Sequence, residues 1–326
     1  MAVSGLNNYS SNYYNNYNKN DTRIDISVQN DGIARNYEYD ALITGTSMTQ
    51  NFKCSEFDAL WGTNSVKTSY SGAGYYELNQ NIRRAFDYHP NIRYVLCSLD
   101  GTKLIAPAES ENYGDYPDYL YDNNPFNDVE YVLNKEVVPM TLAVLNYTRA
   151  GNKTPTRDEY ASWSQYKTYG RETVLSSFTL LPVSEEENLL TEEDIVNTRE
   201  NVTENFLATA LAHPDTEFYL FFPPYSICYW EALQRTKQLN AQLQAQEMAV
   251  ELLLQADNIH VFDFSAKIEI TADLDNYTDT LHYGGWINSE LLNLMSEGTN
   301  ELTTDNYKGY YQQLNELYTN YDYSAY

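Results

Sequence analysis

The stretch FDYHPNIRYVL, Phe86 to Leu96, ends a helical pattern at His-Pro and begins an apolar, strand-like run two residues later. Proline lacks the N–H a helix needs and pushes the residue before it into extended backbone, so the helix stops there. LAHPDTEFYLFF, Leu211 to Phe222, repeats the same grammar. Two helix-to-strand joints of one kind describe an alternating chain. The other strand-length runs fit it: YDALIT (39–44), SVKTSY (65–70), IRYVLCSL (92–99), EFYLFF (217–222) and NIHVFDF (258–264). Alternation of this sort predicts an α/β fold, a parallel sheet covered by helices.

Helices fill the spaces between these anchors. Residues from about Trp230 to Gln255 are rich in Gln, Leu, Ala and Glu with no breaker, and predict one long helix. The stretch from Asp100 to Asp215 is too long for a simple crossover and reads as an insertion at about 101–213 with its own elements. Within it, residues 123–149 read as a turn and then a helix, and residues 192–214 as an acid-started helix leading into the fourth strand. Ligands bind at the carboxyl ends of such strands, so the insertion is expected to form a lid or pocket wall. The Asn/Tyr/Ser-rich start predicts a flexible arm over 1–30, before a single domain over 31–326.

Charge excludes one class of partner. With 20 Lys plus Arg against 46 Asp plus Glu, a formal charge of -26, most of the surface repels a phosphate backbone, so nucleic acid is not an expected partner. No apolar run reaches membrane-spanning length and no secretory leader is visible, so no membrane contact is expected of this chain. Cys54, Cys97 and Cys228 are too few and scattered for a disulfide framework or zinc site, and Cys97 reads as packing. There is no phosphate loop, dinucleotide fingerprint or metal-ligand cluster, so no cofactor and no metal are expected. The 32 tyrosines suit both half-buried surfaces and sugar-binding walls. Oligomeric state is left open.

The chemistry gathers at ITGTSMTQNF, Ile43 to Phe52, where Ser47 comes after the first strand with a helix-like stretch behind it. A serine there is ordinarily a helix cap. A nucleophile needs a base and an orienting group, and NYTDTLHYGGWIN supplies Asp279 and His282 at a spacing of three, expected to share one helical turn. The other histidines have plainer readings: His89 and His213 at helix ends before proline, His260 packed in an apolar strand. Asp100 reads as a cap or a second carboxylate. Tyr225 and Ser226 either face the site or belong to a Pro-Pro turn. Trp230 and Trp286 read as buried anchors before sugar-stacking platforms.

GTSM with Ser47, the glycines of SYSGAG, and DTLH near the end resemble the SGNH, or GDSL-like, hydrolases; NDGIARNYEYDALITGTSMTQNF, YLYDNNPFNDVEYVLN, FFPPYSICYW and LHYGGWIN resemble, more narrowly, members from clostridial-type Gram-positive bacteria. The resemblance implies a flavodoxin-like three-layer sandwich of strand order 2-1-3-4-5 and a location at the cell surface. It implies Ser47 as nucleophile, His282 as base and Asp279 as its orienter. The oxyanion donors it implies are the N–H groups of Ser47 and Gly72, with Gly74 the competing glycine. Two positions depart from the family: Thr46 replaces the aspartate of the first block, and Thr102 stands where an oxyanion-binding asparagine belongs. The implied function is a serine-dependent esterase or acyltransferase on an ester-bearing small molecule or glycan. The alternative is a non-catalytic glycan-binding or assembly protein on the same fold.

Overall fold

The computed structural model describes residues 30–111 and 156–325, with isolated positions between 124 and 151. The expected arm lies outside the described residues except for its last member. Asn30 is buried in helical residues 30–36 and belongs to the folded body: its amide donates to Ser69 O (3.0 Å) and its oxygen accepts from Tyr160 OH (2.8 Å). The helix expected over 123–149 falls mostly outside the described residues.

Six strands form one sheet of order β2-β1-β3-β4-β5-β6. They are β1 (Ala41–Gly45), β2 (Ser65–Ser69), β3 (Tyr94–Ser98), β4 (Glu217–Phe222), β5 (Ile259–Asp263) and β6 (Glu301–Leu302). The first five pair in parallel, with Ala41 opposite both Ser65 and Tyr94, and Tyr94 opposite Glu217. β1 and β2 are buried at every position, as strands covered on both faces must be. β6 pairs antiparallel with β5 and was not expected; at two residues it is too short to carry a periodic signal.

The principal helices are α1 (Cys54–Trp61), α2 (Tyr75–Tyr88), α3 (Glu192–Val202), α4 (Ile227–Arg235), α5 (Leu239–Leu253), α6 (Gly285–Ser296) and α7 (Tyr307–Asn320). Both His-Pro joints end helices as expected, and they meet: the His213 ring stacks on Phe86 at 3.6 Å and 7°. α3 opens on a capping box in which Thr191 Oγ1 accepts from Asp194 N (3.1 Å) and Thr191 N donates to Asp194 Oδ2 (2.8 Å). Asn201 lies on α3 and Asn205 on the π-helical turn Thr203–Leu207 directly after it. They donate to the carbonyls of Lys103, Leu104 and Ala108, tying the loop after β3 to this helix.

The single helix expected over 230–255 is instead α4 and α5, separated at Thr236 to Gln238. Lys237 takes φ +59, Gln238 N donates to Leu233 O (2.8 Å) and Lys237 N to Gln234 O (3.3 Å). This is a Schellman ending, whose left-handed position usually holds glycine; with lysine there, nothing in the composition marks it.

Among the described residues, several tyrosines act as internal cross-links. Tyr75 OH donates to Asp100 O, Tyr277 OH to Pro224 O, Tyr310 OH to Asp263 O and Tyr318 OH to Ser265 O, from rings that are mostly or wholly buried. Trp230 is a buried anchor, stacked on Tyr318 at 4.1 Å, whereas Trp286 is not buried. The three cysteines are buried thiols.

Candidate active site

The turn after β1 is built so that Ser47 has nothing else to do. Gly45 has φ +130, and a Cβ on it would sit 2.6 Å from Ser98 Oγ and 2.7 Å from Thr49 Cγ2, so only glycine fits where β1 hands over to the turn. Thr46 then caps: its Oγ1 accepts from Met48 N (3.4 Å) and donates to Asp100 Oδ2 (2.6 Å), while its N–H donates to Ser98 Oγ (3.2 Å). Ser47–Thr49 form only a single 3-10 turn, and α1 starts at Cys54; the helix expected directly behind Ser47 is absent. The backbone is held away from a helical path by Lys67, whose buried ammonium donates to Gln50 O (2.5 Å), Phe52 O (2.8 Å) and Asp158 O (3.2 Å). Burial pushes the Lys67 ammonium down to about 8.

Asp279 and His282 lie on a loop, not on a helical turn. An antiparallel bridge between Tyr277 and Tyr283 closes it, with Thr278 N donating to His282 O (2.9 Å). Asp279 Oδ1 accepts from the N–H groups of Leu281 and His282 (both 2.9 Å), an Asx-type turn that achieves what helical spacing was expected to do. The Pro-Pro stretch holds this loop from below. Ser226 N (3.2 Å) and Oγ (2.7 Å) both donate to Thr280 O, and Tyr277 OH donates to Pro224 O (2.6 Å).

The three side chains meet. Ser47 Oγ lies 2.8 Å from His282 Nε2, and His282 Nδ1 lies 2.8 and 3.0 Å from Asp279 Oδ2 and Oδ1. A carboxylate at Nδ1 keeps the proton on that nitrogen and leaves Nε2 to accept from the Ser47 hydroxyl. Burial raises the Asp279 carboxyl, but the hydrogen bond and charge of His282 and the two loop N–H groups outweigh it and hold Asp279 below its ordinary value. Asp279 therefore stays anionic beside the imidazole.

The N–H groups of Ser47 and Gly72 make no hydrogen bond among the described residues, which leaves both for a ligand oxygen. Gly74, the competing glycine, is spent: its N–H donates to Glu77 Oε2 (2.5 Å) at the start of α2. Gly72 has φ +77, a left-handed position that suits glycine. Thr102 is exposed in the 3-10 turn Gly101–Lys103 and makes no hydrogen bond to the triad. Asp100, Tyr225 and Ser226, which the sequence offers as candidates for a substrate pocket, are buried. Asp100 accepts from Thr46 Oγ1, Ser98 Oγ and Tyr225 OH, and the three residues form a support beneath Ser47 and the histidine loop.

One group of site residues escapes sequence reading altogether. Trp163 Nε1 donates to Ser47 O (3.3 Å), and the indole meets the His282 ring edge-on at 5.5 Å. Asn51 Oδ1 accepts from Ser162 Oγ, Trp163 N and Ser164 N, fastening this segment to the turn after Ser47. Asn288 Nδ2 donates to Met48 O (2.9 Å) and Gly285 N to Ser164 Oγ (2.8 Å), so the start of α6 closes the same ring of contacts. YASWSQY has no periodicity and no motif, and nothing in it marks a partner for Ser47. Among the described residues, no group of three or more His, Cys, Asp or Glu could hold a metal ion, and no helix is long and apolar enough to cross a membrane.

No family model, no curated protein and no solved structure matches the chain.

Proposed function

We propose that this chain is a serine-dependent O-acyl hydrolase or acyltransferase of the SGNH type, acting on an acylated glycan or related envelope ester at the cell surface. The observation that carries the reading is the 2.8 Å contact between Ser47 Oγ and His282 Nε2, with Asp279 on the far ring nitrogen. Ser47 Oγ attacks the ester carbonyl as its proton passes to His282 Nε2. The N–H groups of Ser47 and Gly72 receive the oxyanion, and His282 returns the proton to the departing alkoxide, leaving an acyl-serine. Water or a sugar hydroxyl then gives its proton to His282 and takes the acyl group, and the proton goes back to Ser47 Oγ. A flavodoxin-like frame, with the segment between β3 and β4 as an insertion that walls the pocket, belongs to the same proposal; the Trp163 contacts with Ser47 and His282 support it.

A non-catalytic, glycan-binding reading draws on a specific feature: Thr102 is exposed and unbonded to the site, so the third oxyanion donor is missing. Loss of one such donor costs about 10²–10³ in rate, which slows a triad without abolishing it. Fluorophosphonate labelling decides. The wild-type chain is expected to be labelled and Ser47→Ala not; absence of wild-type labelling across about pH 6–9 would sink the catalytic reading.

A further inference from the structure

Trp286 is 49% exposed, yet its ring has a hydrogen-bond partner, an aromatic neighbour and a glycine bed. Its ring lies against Gly284, where a Cβ would come within 2.3 Å of the six-membered ring, so the GGW sequence clears a bed for the indole. Its Nε1 donates to Asn276 Oδ1 (3.0 Å), and Tyr169 packs against it at 4.8 Å and 66°. Tyr169 in turn shares a hydrogen bond with Ser164 Oγ (2.7 Å), the same hydroxyl that receives Gly285 N beside the indole. Large exposed apolar side chains ordinarily keep their rotamer freedom; fixing one while leaving half its surface to solvent serves a ligand better than it serves the core.

Position makes the ligand's site specific. Trp286 is four residues past His282, and Tyr169 is close enough to Asp279 to feel its charge. We infer that Trp286 is the stacking platform for a pyranose ring of the acylated substrate, setting that ring beside the Ser47 hydroxyl. This rests on the acyl-transfer reading. A flat indole presents an electron-rich face to the C–H-bearing face of a pyranose, contacts that are weak singly and add over a ring. The occupant is a neutral or N-acetylated sugar, since Asp275 adjoins Asn276, the indole's hydrogen-bond partner, Asp279 raises Tyr169 through its charge, and the chain carries a formal charge of -26, which repels a polyuronate.

The test compares acetyl release from O-acetylated oligosaccharides of glucose, xylose and N-acetylglucosamine with release from 4-nitrophenyl acetate. In Trp286→Ala the ratio of kcat/KM for the best oligosaccharide to that for the aryl ester should fall tenfold or more, chiefly through KM, and Trp286→Phe should recover most of it. Taking the ratio removes any general slowing caused by the lost Asn276 bond. An unchanged ratio for all three sugars, or a preference for an O-acetylated polyuronate, overturns the platform. If nothing is turned over and no fluorophosphonate labels Ser47, the acyl-transfer reading has failed by itself. The platform is then judged by tryptophan fluorescence with the unacylated oligosaccharides: a change lost in Trp286→Phe upholds it, and no change in the wild-type chain rejects it.

Discussion

Thr46 takes the capping role that usually falls to the residue at the start of a helical turn, and its bond to the buried Asp100 carboxylate fixes it there. Ser47 is thereby left with a hydroxyl whose one partner among the described residues is His282. The most sensitive position is Asp279. Replacing it with asparagine puts an amide donor opposite Nδ1, favouring the tautomer with the proton on Nε2, which can no longer accept from serine. Acyl release by Asp279→Asn is expected to fall by about 10⁴, with fluorophosphonate labelling slowed in parallel. A rate within a few-fold of wild type would mean that something else orients His282. Ser47, Asp279 and His282 were legible because each is a telling residue type at an informative place: a serine past a strand, and a carboxylate three before one of only four histidines. Trp163 and Asn51 were not, because their roles are contacts between segments more than a hundred residues apart, and no local pattern encodes such a pairing.

Elements were readable where hydrophobic runs and prolines mark them. The five parallel strands fall within a residue or two of the apolar runs, and both His-Pro joints end helices where proline dictates. The break between α4 and α5 was hidden because a lysine occupies the left-handed position at φ +59. That position carries a steric cost of about 1–2 kcal/mol for a residue with a Cβ, partly offset in glycine by a more flexible unfolded chain. Lys237→Gly should therefore stabilise the fold by about 0.5–1 kcal/mol, read as a higher urea midpoint with unchanged slope. A β-branched residue there should do the reverse. A lower midpoint for Lys237→Gly would show that the lysine side chain makes an interaction worth more than the strain.

For the whole molecule, one buried carboxylate couples stability to pH. Asp263 at the end of β5 accepts from Ser265 N (2.8 Å) and Tyr311 OH (3.0 Å); burial pushes its carboxyl up from 3.8 to about 6, against those bonds. Between these values the folded chain holds a proton that the unfolded chain has released. Stability from this group is thus present at low pH, falls as pH rises through that window, and is gone above it. The span corresponds to about 3 kcal/mol. General relief of charge repulsion in so acidic a chain runs in the same direction, so the measurement is a difference: urea midpoints of wild type and Asp263→Asn at intervals from about pH 4 to 7, with the variant's profile the flatter. Parallel profiles would show that Asp263 is not the titrating group.

The sequence separation of 235 positions between Ser47 and His282 also has a meaning in time. A ribosome delivers the serine, its turn and the first three strands long before it delivers the histidine loop, and domains assemble from their amino-terminal side as they emerge. Until synthesis passes Tyr283, whose bridge to Tyr277 closes that loop, the nascent chain carries a serine with no base. On the proposed reading, a chain stalled or cut short ahead of that loop holds the serine without its base, however well its sheet has formed.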